Sequence, residues 1–204
     1  MEENRSSTFN RILIGVLAIL YVLSLAMLLY GNIKAGDSAA WQLIVSGFLL
    51  SIPLILLYFS IYVLVVAARQ KRSLGQIDRR LVRLIFWTPR IAGILIILFI
   101  SLFALDVFEA GYSLGEMLLA FLMHLLPSIV LAIILILAWR WEWIGFLAFL
   151  VAGLFFMRTF LFNPLQGVGN LLLFAGPLFM IALLFGANWR WKAEIRNQKL
   201  EVRN

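Results

Sequence analysis

The chain contains no cysteine, which removes disulfides, thiolate metal ligands and a cysteine nucleophile. It has one histidine, His124, and only 13% charged residues. A zinc site takes about three or four protein ligands, so this inventory leads us to expect no metal and no cofactor. Also missing are a P-loop, a zincin motif, a serine nucleophile elbow and paired aspartates inside an apolar run. Without a catalytic set, the chain is not expected to be an enzyme. Strict apolar–polar alternation is absent as well, which argues against a membrane barrel.

What the chain has is apolar length. Of its 204 residues 64% are hydrophobic, and the mean hydropathy is +1.02. A soluble domain cannot hide that much apolar surface. Runs of about 18 or more apolar residues are membrane-span candidates, because about 20 helical residues cross about 30 Å of hydrocarbon. Such runs fall at 11–30, 41–67, 89–108, 114–138, 143–162 and 170–187. The expected fold is an all-α integral membrane protein, a six-span helical bundle built of three helical hairpins. Hairpin one occupies 11–67, an amphipathic basic connector 73–87, hairpin two 89–138, hairpin three 143–187 and a tail 188–204. The polar residues 1–10 lead directly into the first run and read as part of a retained helix, not a cleaved signal.

Formal net charge is +7, from 17 Lys+Arg against 10 Asp+Glu. In so apolar a chain this reflects the cytoplasmic bias of basic residues, and no nucleic-acid partner is expected. With the N-terminus inside, every lysine and arginine except Lys34 and Arg158 falls on one side of the bundle, Arg5 and the tail residues Arg196, Lys199 and Arg203 included. Trp87, Trp139, Trp141, Trp143, Trp189 and Trp191 mark that same boundary and Trp41 the opposite one. The expected topology is N-in/C-in, multi-pass, in the plasma (cytoplasmic) membrane of a prokaryote.

One pattern repeats. Pro127 precedes Trp139-Arg140-Trp141 at the spacing at which Pro177 precedes Trp189-Arg190-Trp191, and Arg90 precedes Pro127 as Arg140 precedes Pro177. Hairpins two and three therefore read as an internal repeat. Hairpin one, with Arg11 and Pro53, resembles them loosely. The short turn through Trp141 and Glu142 forces the flanking spans to be adjacent. Asn163-Pro164, Gly167 and Gly169 read as the last outer turn, with Asn170 as N-cap.

The connector has its own pattern. Ser73-Leu74-Gly75-Gln76 has capping-box form, Leu74, Ile77, Leu81 and Leu84 recur at helical spacing, and Thr88-Pro89 reads as the start of a new helix. This describes an amphipathic helix lying on the inner leaflet. Arg69, Lys71, Arg72, Arg79, Arg80 and Arg83 then form a surface for anionic lipid at the cytoplasmic face, or for a membrane or cytoplasmic protein partner. The plainer alternative is a basic connector that only fixes orientation.

The candidate intramembrane polar site comprises His124, Ser128, Arg158 and Asp106. His124 lies near mid-span beside Pro127, as a proton relay, a ligand contact or a neutral ring bonded to a neighbouring helix. Arg158, late in the fifth run, is expected to pair with Asp106 or Glu116 near the outer ends, where Glu109 also lies. Ser113-Leu114-Gly115-Glu116 fits a capping box, which favours a structural role for Glu116.

At Trp139-Arg140-Trp141-Glu142-Trp143-Ile144-Gly145, with Ala104-Leu105-Asp106-Val107-Phe108 and Met123-His124-Leu125-Leu126-Pro127 upstream, the chain resembles a family of small uncharacterised prokaryotic membrane proteins, a domain of unknown function. The resemblance covers approximately 90–162, with the first hairpin and its connector as departures. It implies apolar helical hairpins and supplies no catalytic or binding residues. The expected function is a non-catalytic accessory or scaffold protein. The alternative is a small-solute transporter or channel with a pathway passing His124, marked by convergence of His124, Ser128, Ser101 and Ser51 on one cavity.

Overall fold

The computed structural model describes residues 2–35, 39–109, 113–162 and 164–201, with side chains throughout except at 2–7, 35, 109, 159–162, 164–166 and 193–201. Asn163 and Arg203 lie outside the described residues, as do the side chains of Arg5, Glu109, Pro164, Arg196 and Lys199. Every described element is helical: α1 (Glu2–Ala35), α2 (Ala40–Leu74), α3 (Arg79–Leu102), a 3₁₀ segment (Phe103–Glu109), α4 (Leu114–Arg140), α5 (Glu142–Phe162), α6 (Pro164–Asn170), a π turn (Leu171–Ala175) and α7 (Gly176–Glu201). Helices keep each backbone N–H and C=O paired within the segment, which an apolar surrounding demands. Five stretches among the described residues are long and apolar enough to cross a membrane: Thr8–Lys34, Ala40–Leu74, Arg79–Phe108, Leu114–Arg140 and Gly167–Lys192.

α7 is the centre of the packing, touching α2, α3 and α5. The main core joins Ile96 and Phe99 of α3, Leu131 and Leu135 of α4, Phe149 of α5, and Leu178, Ile181 and Phe185 of α7. Between α5 and α7, small residues let the backbones approach. A Cβ on Gly145 would lie 2.7 Å from the Ala138 Cβ and 2.9 Å from Phe185, and one on Gly153 would lie 2.8 Å from Phe179. Phe149 and Phe185 stack at 5.9 Å in the same seam.

The connector differs from expectation. α2 runs on to Leu74 and stops at Gly75, whose φ of 67° and N–H bond to the Lys71 carbonyl form a left-handed C-cap. The Ser73 hydroxyl donates back to the Gln70 carbonyl, so no capping box opens there. α3 starts at Arg79 and passes through Thr88 and Pro89 without a break. Leu81 and Ile85 are buried against Val63 and Ala67 of α2 and Leu184 of α7, with Ile77 and Trp191 alongside. The amphipathic stretch is thus the first turns of a long helix docked on its own bundle; that docking holds the helix together past the proline, and Leu74 and Leu84 alone of its apolar set stay exposed.

The described part of the expected last turn, residues 164–170, is helical too. Gly167, Gly169 and Asn170 lie in α6, and Asn170 has helical φ and ψ instead of capping a helix. The π turn that follows lets the chain reach Pro177, which lacks an N–H and would crowd the carbonyl four residues back in a regular helix. α1 is the least covered span, with 6% of its apolar window buried. It holds to α2 by hydroxyls: Tyr21 donates to Ser51 Oγ (2.9 Å), and Ser24 and Tyr58 share a bond of 2.7 Å.

Gly145→Val should lower the stability of the detergent-solubilised protein by about 1–3 kcal/mol, the usual effect of overpacking. Gly15→Ala, where nothing lies within 4 Å, should leave it within about 0.5 kcal/mol. Thermal unfolding of both variants checks this.

Candidate functional site

Where α4 ends and α5 begins, the chain turns through Trp141 alone, whose N–H bonds the Leu137 carbonyl and whose own carbonyl accepts from Ile144. The next residue, Glu142, is buried at 4% exposure and reaches inward. Arg90 of α3 comes to meet it, fully buried, with Nη2 3.6 Å from Glu142 Oε1. Asn188 of α7 donates to the same oxygen at 3.4 Å, and Lys192 of α7 places Nζ 3.0 Å from both carboxylate oxygens. One carboxylate thus serves three donors from two other helices.

Arg90 is held on every side. Its guanidinium lies 3.6 Å from the centroid of the Phe86 ring and 5.5 Å from that of Phe185, within cation–π range. Nη1 donates to the Phe86 carbonyl and Nη2 to the Trp139 carbonyl. Only Nε is buried without an acceptor. The arginine therefore ties α3 to the end of α4, the start of α5 and α7.

The expected sites fare differently. Arg69 stacks on Phe9 of α1 at 3.7 Å and Lys71 lies over Trp191 of α7 at 5.0 Å, whereas Arg72, Arg79, Arg80 and Arg83 are exposed. The ends of α2 and α4, the starts of α3 and α5 and residues 184–192 of α7 meet here, so the basic residues share one end of the bundle with the Arg90–Glu142 cluster. At the other end Glu116 accepts from the Ser113 N–H (3.1 Å) and hydroxyl (2.7 Å), the capping arrangement expected of it. Asp106 and Arg158 are both exposed.

His124, Ser128, Ser101 and Ser51 do not bond to one another. His124 lies on the exposed flank of α4 with Nδ1 2.8 Å from its own helix's Ala120 carbonyl. Ser101 donates to Leu98 and Ser51 to Gly47, each within its helix. Ser128 is buried and its Oγ has no partner. Sequence reasoning places none of Arg90, Glu142, Asn188 and Lys192 in a site; the available signal was a lone carboxylate between Trp141 and Trp143, and Asn188 carries none.

Long apolar helices locked at one end by a buried ionic cluster describe a membrane-protein class. The chain belongs to the family described as a domain of unknown function, DUF7670, whose model matches residues 78–199. The match is wider than the resemblance at 90–162. It begins at Asp78, the residue before α3, and takes in Arg90, Glu142, Asn188 and Lys192, while α1 and α2 lie outside it. No curated protein and no solved structure matches the chain.

Glu142→Gln should cost about 3–5 kcal/mol, because it leaves Arg90 buried without its counter-charge. Lys192→Ala should cost no more than about 1 kcal/mol, since its side chain is 62% exposed and exposed pairs are weak. Comparing the thermal unfolding of the two variants in detergent separates buried from peripheral members of the cluster.

Proposed function

We propose that the chain is a non-catalytic accessory or scaffold protein of a prokaryotic plasma membrane, with six spans, three helical hairpins and both ends in the cytoplasm. α5 supplies the sixth span: its 21 residues match the length of a bilayer crossing. The orientation follows from the basic residues gathered at the Arg90–Glu142 end and from Trp87, Trp139, Trp141, Trp143 and Trp189, all roughly half exposed there. Bundle lipids at that face are anionic. A protein partner would meet the same face, where the ends of α2 and α4 meet the start of α3.

The observation that carries the functional reading is where the polar groups go. Within the spans the bonded polar groups serve their own helix or lock neighbouring helices together, as Tyr21 does with Ser51 and Arg90 with Glu142. The buried Ser128 hydroxyl stands alone, without a polar partner among the described residues that would continue a route. A pathway would need polar groups lining a common route. Transport past His124 gains nothing from a ring on the exposed flank of α4 that is bonded to its own helix at Ala120. A clamp between Arg158 and Asp106 remains part of the proposal at the outer end. The repeat of hairpins two and three is kept on the matched positions of Pro127 and Pro177, although the first Trp-Arg-Trp ends α4 and the second lies within α7.

A reporter fused after residue 204 should be protected in intact cells and reached on permeabilisation, and purification in mild detergent should bring down a protein in fixed stoichiometry. His124→Ala should leave yield and stability within about 0.5 kcal/mol of the parent. A reporter labelled in intact cells contradicts the topology; solute flux in vesicles that His124→Ala abolishes contradicts the scaffold role.

A further inference from the structure

The basic residues at the clamped end are not equivalent. Arg90 is taken by Glu142, Arg69 by the Phe9 ring and Lys71 by the Trp191 ring. Arg79, Arg80 and Arg83 pair with no carboxylate among the described residues, and α3 contains no acidic residue at all. Docking of Leu81 and Ile85 on α2 and α7 turns these arginines outward as a rigid row.

Below that row the exposed surface of α3 continues in register. Arg80, Arg83, Trp87, Ile91, Leu95 and Leu98 follow one another at intervals of three or four residues, the spacing of a single helix face. Trp87 is 48% exposed, Ile91 50% and Leu98 57%. The stripe is therefore cationic, then aromatic, then purely aliphatic. At 1.5 Å per residue, Arg80 to Trp87 spans about 10 Å and Trp87 to Leu98 about 16 Å. The second length is close to half of a hydrocarbon core of about 30 Å, and the first covers the headgroup layer above it. Indole rings favour the boundary between the two.

We propose that this stripe of α3 holds one anionic phospholipid, its phosphate between Arg80 and Arg83, its glycerol region beside Trp87 and an acyl chain along Ile91, Leu95 and Leu98. The inference deepens the membrane-scaffold reading and rests on it for the presence of lipid; it names the ligand that the basic face selects. The charge is complementary, the aliphatic part has the length of one leaflet, and an acidic soluble protein would leave the lower half of the stripe unused.

The test is native mass spectrometry of the full-length chain in detergent, with dioleoylphosphatidylglycerol and dioleoylphosphatidylcholine offered at equal concentration. The parent should retain a single phosphatidylglycerol in about tenfold preference, the effect of one to two arginines near a lipid phosphate. Arg80→Gln/Arg83→Gln should bring the ratio to about one, Arg80→Lys/Arg83→Lys should keep most of it, and Arg72→Gln/Arg140→Gln should leave it unchanged. Equal retention of the two lipids by the parent overturns the site. So does equal loss in the Arg72/Arg140 pair, which would mean a diffuse field, or displacement of the lipid by inorganic phosphate alone, which would mean a free-anion site. Detergent has no two sides, so this result is independent of reporter accessibility: loss of lipid preference speaks against the site, and an externally labelled C-terminus against the topology.

Discussion

Glu142 is the one buried carboxylate among the described side chains, and the helix arrangement at its end of the bundle is organised around it. Removing a carboxylate and a guanidinium from water costs several kcal/mol each, and their attraction offsets this only when geometry and extra hydrogen bonds are good. Here Arg90 has Phe86 and Trp139 carbonyls and two aromatic rings to lean on, while Glu142 draws on Asn188 and Lys192. The groups come from α3, α5 and α7, so the buried pair ties three helices at one point, with the exposed Lys192 at its rim. In an apolar bundle, where greasy contacts between helices compete with equally greasy contacts to lipid, such a polar lock gives the arrangement its register.

The chain divides into a locked part and an attached part. The family match spans α3 to α7, which share the main core and the cluster. α1 and α2 lie outside it, and they are joined differently. α2 packs on α3 and α7 through Val63 and Ala67, whereas α1 is joined mainly to α2, through hydroxyl bonds and the Tyr21–Tyr58 edge contact at 6.4 Å. Arg69 stacked on Phe9 closes the same seam at its basic end. A first helix so lightly covered has most of its apolar surface available to lipid.

Helix type was legible because long apolar runs leave a chain few alternatives, and the Trp-Arg-Trp-Glu turn was legible because its neighbours on both sides are apolar for many residues. The Ser113–Glu116 cap followed from a local motif. The failures share one cause. Thr88-Pro89, Ser73-Gln76 and Asn170 carry local signals for helix starts that tertiary packing overrides: Leu81 and Ile85 gain a face on α2 and α7 only if α3 runs through the proline. Arg90 and Glu142 were read as boundary charges because nothing in either segment announces that the two ends meet. Long-range pairing between Arg90 and Glu142 is not encoded in periodicity; only the position of a carboxylate between two tryptophans hints at it.

A double-mutant cycle on Arg90→Met and Glu142→Gln, read by thermal unfolding of the full chain in detergent, tests the central claim most directly. If the two side chains form a buried, mutually dependent lock, the double variant is less damaged than the sum of the single ones, with a coupling of about 1.5 kcal/mol or more. Strict additivity would mean that each residue stabilises the bundle alone, and the lock would have to be abandoned.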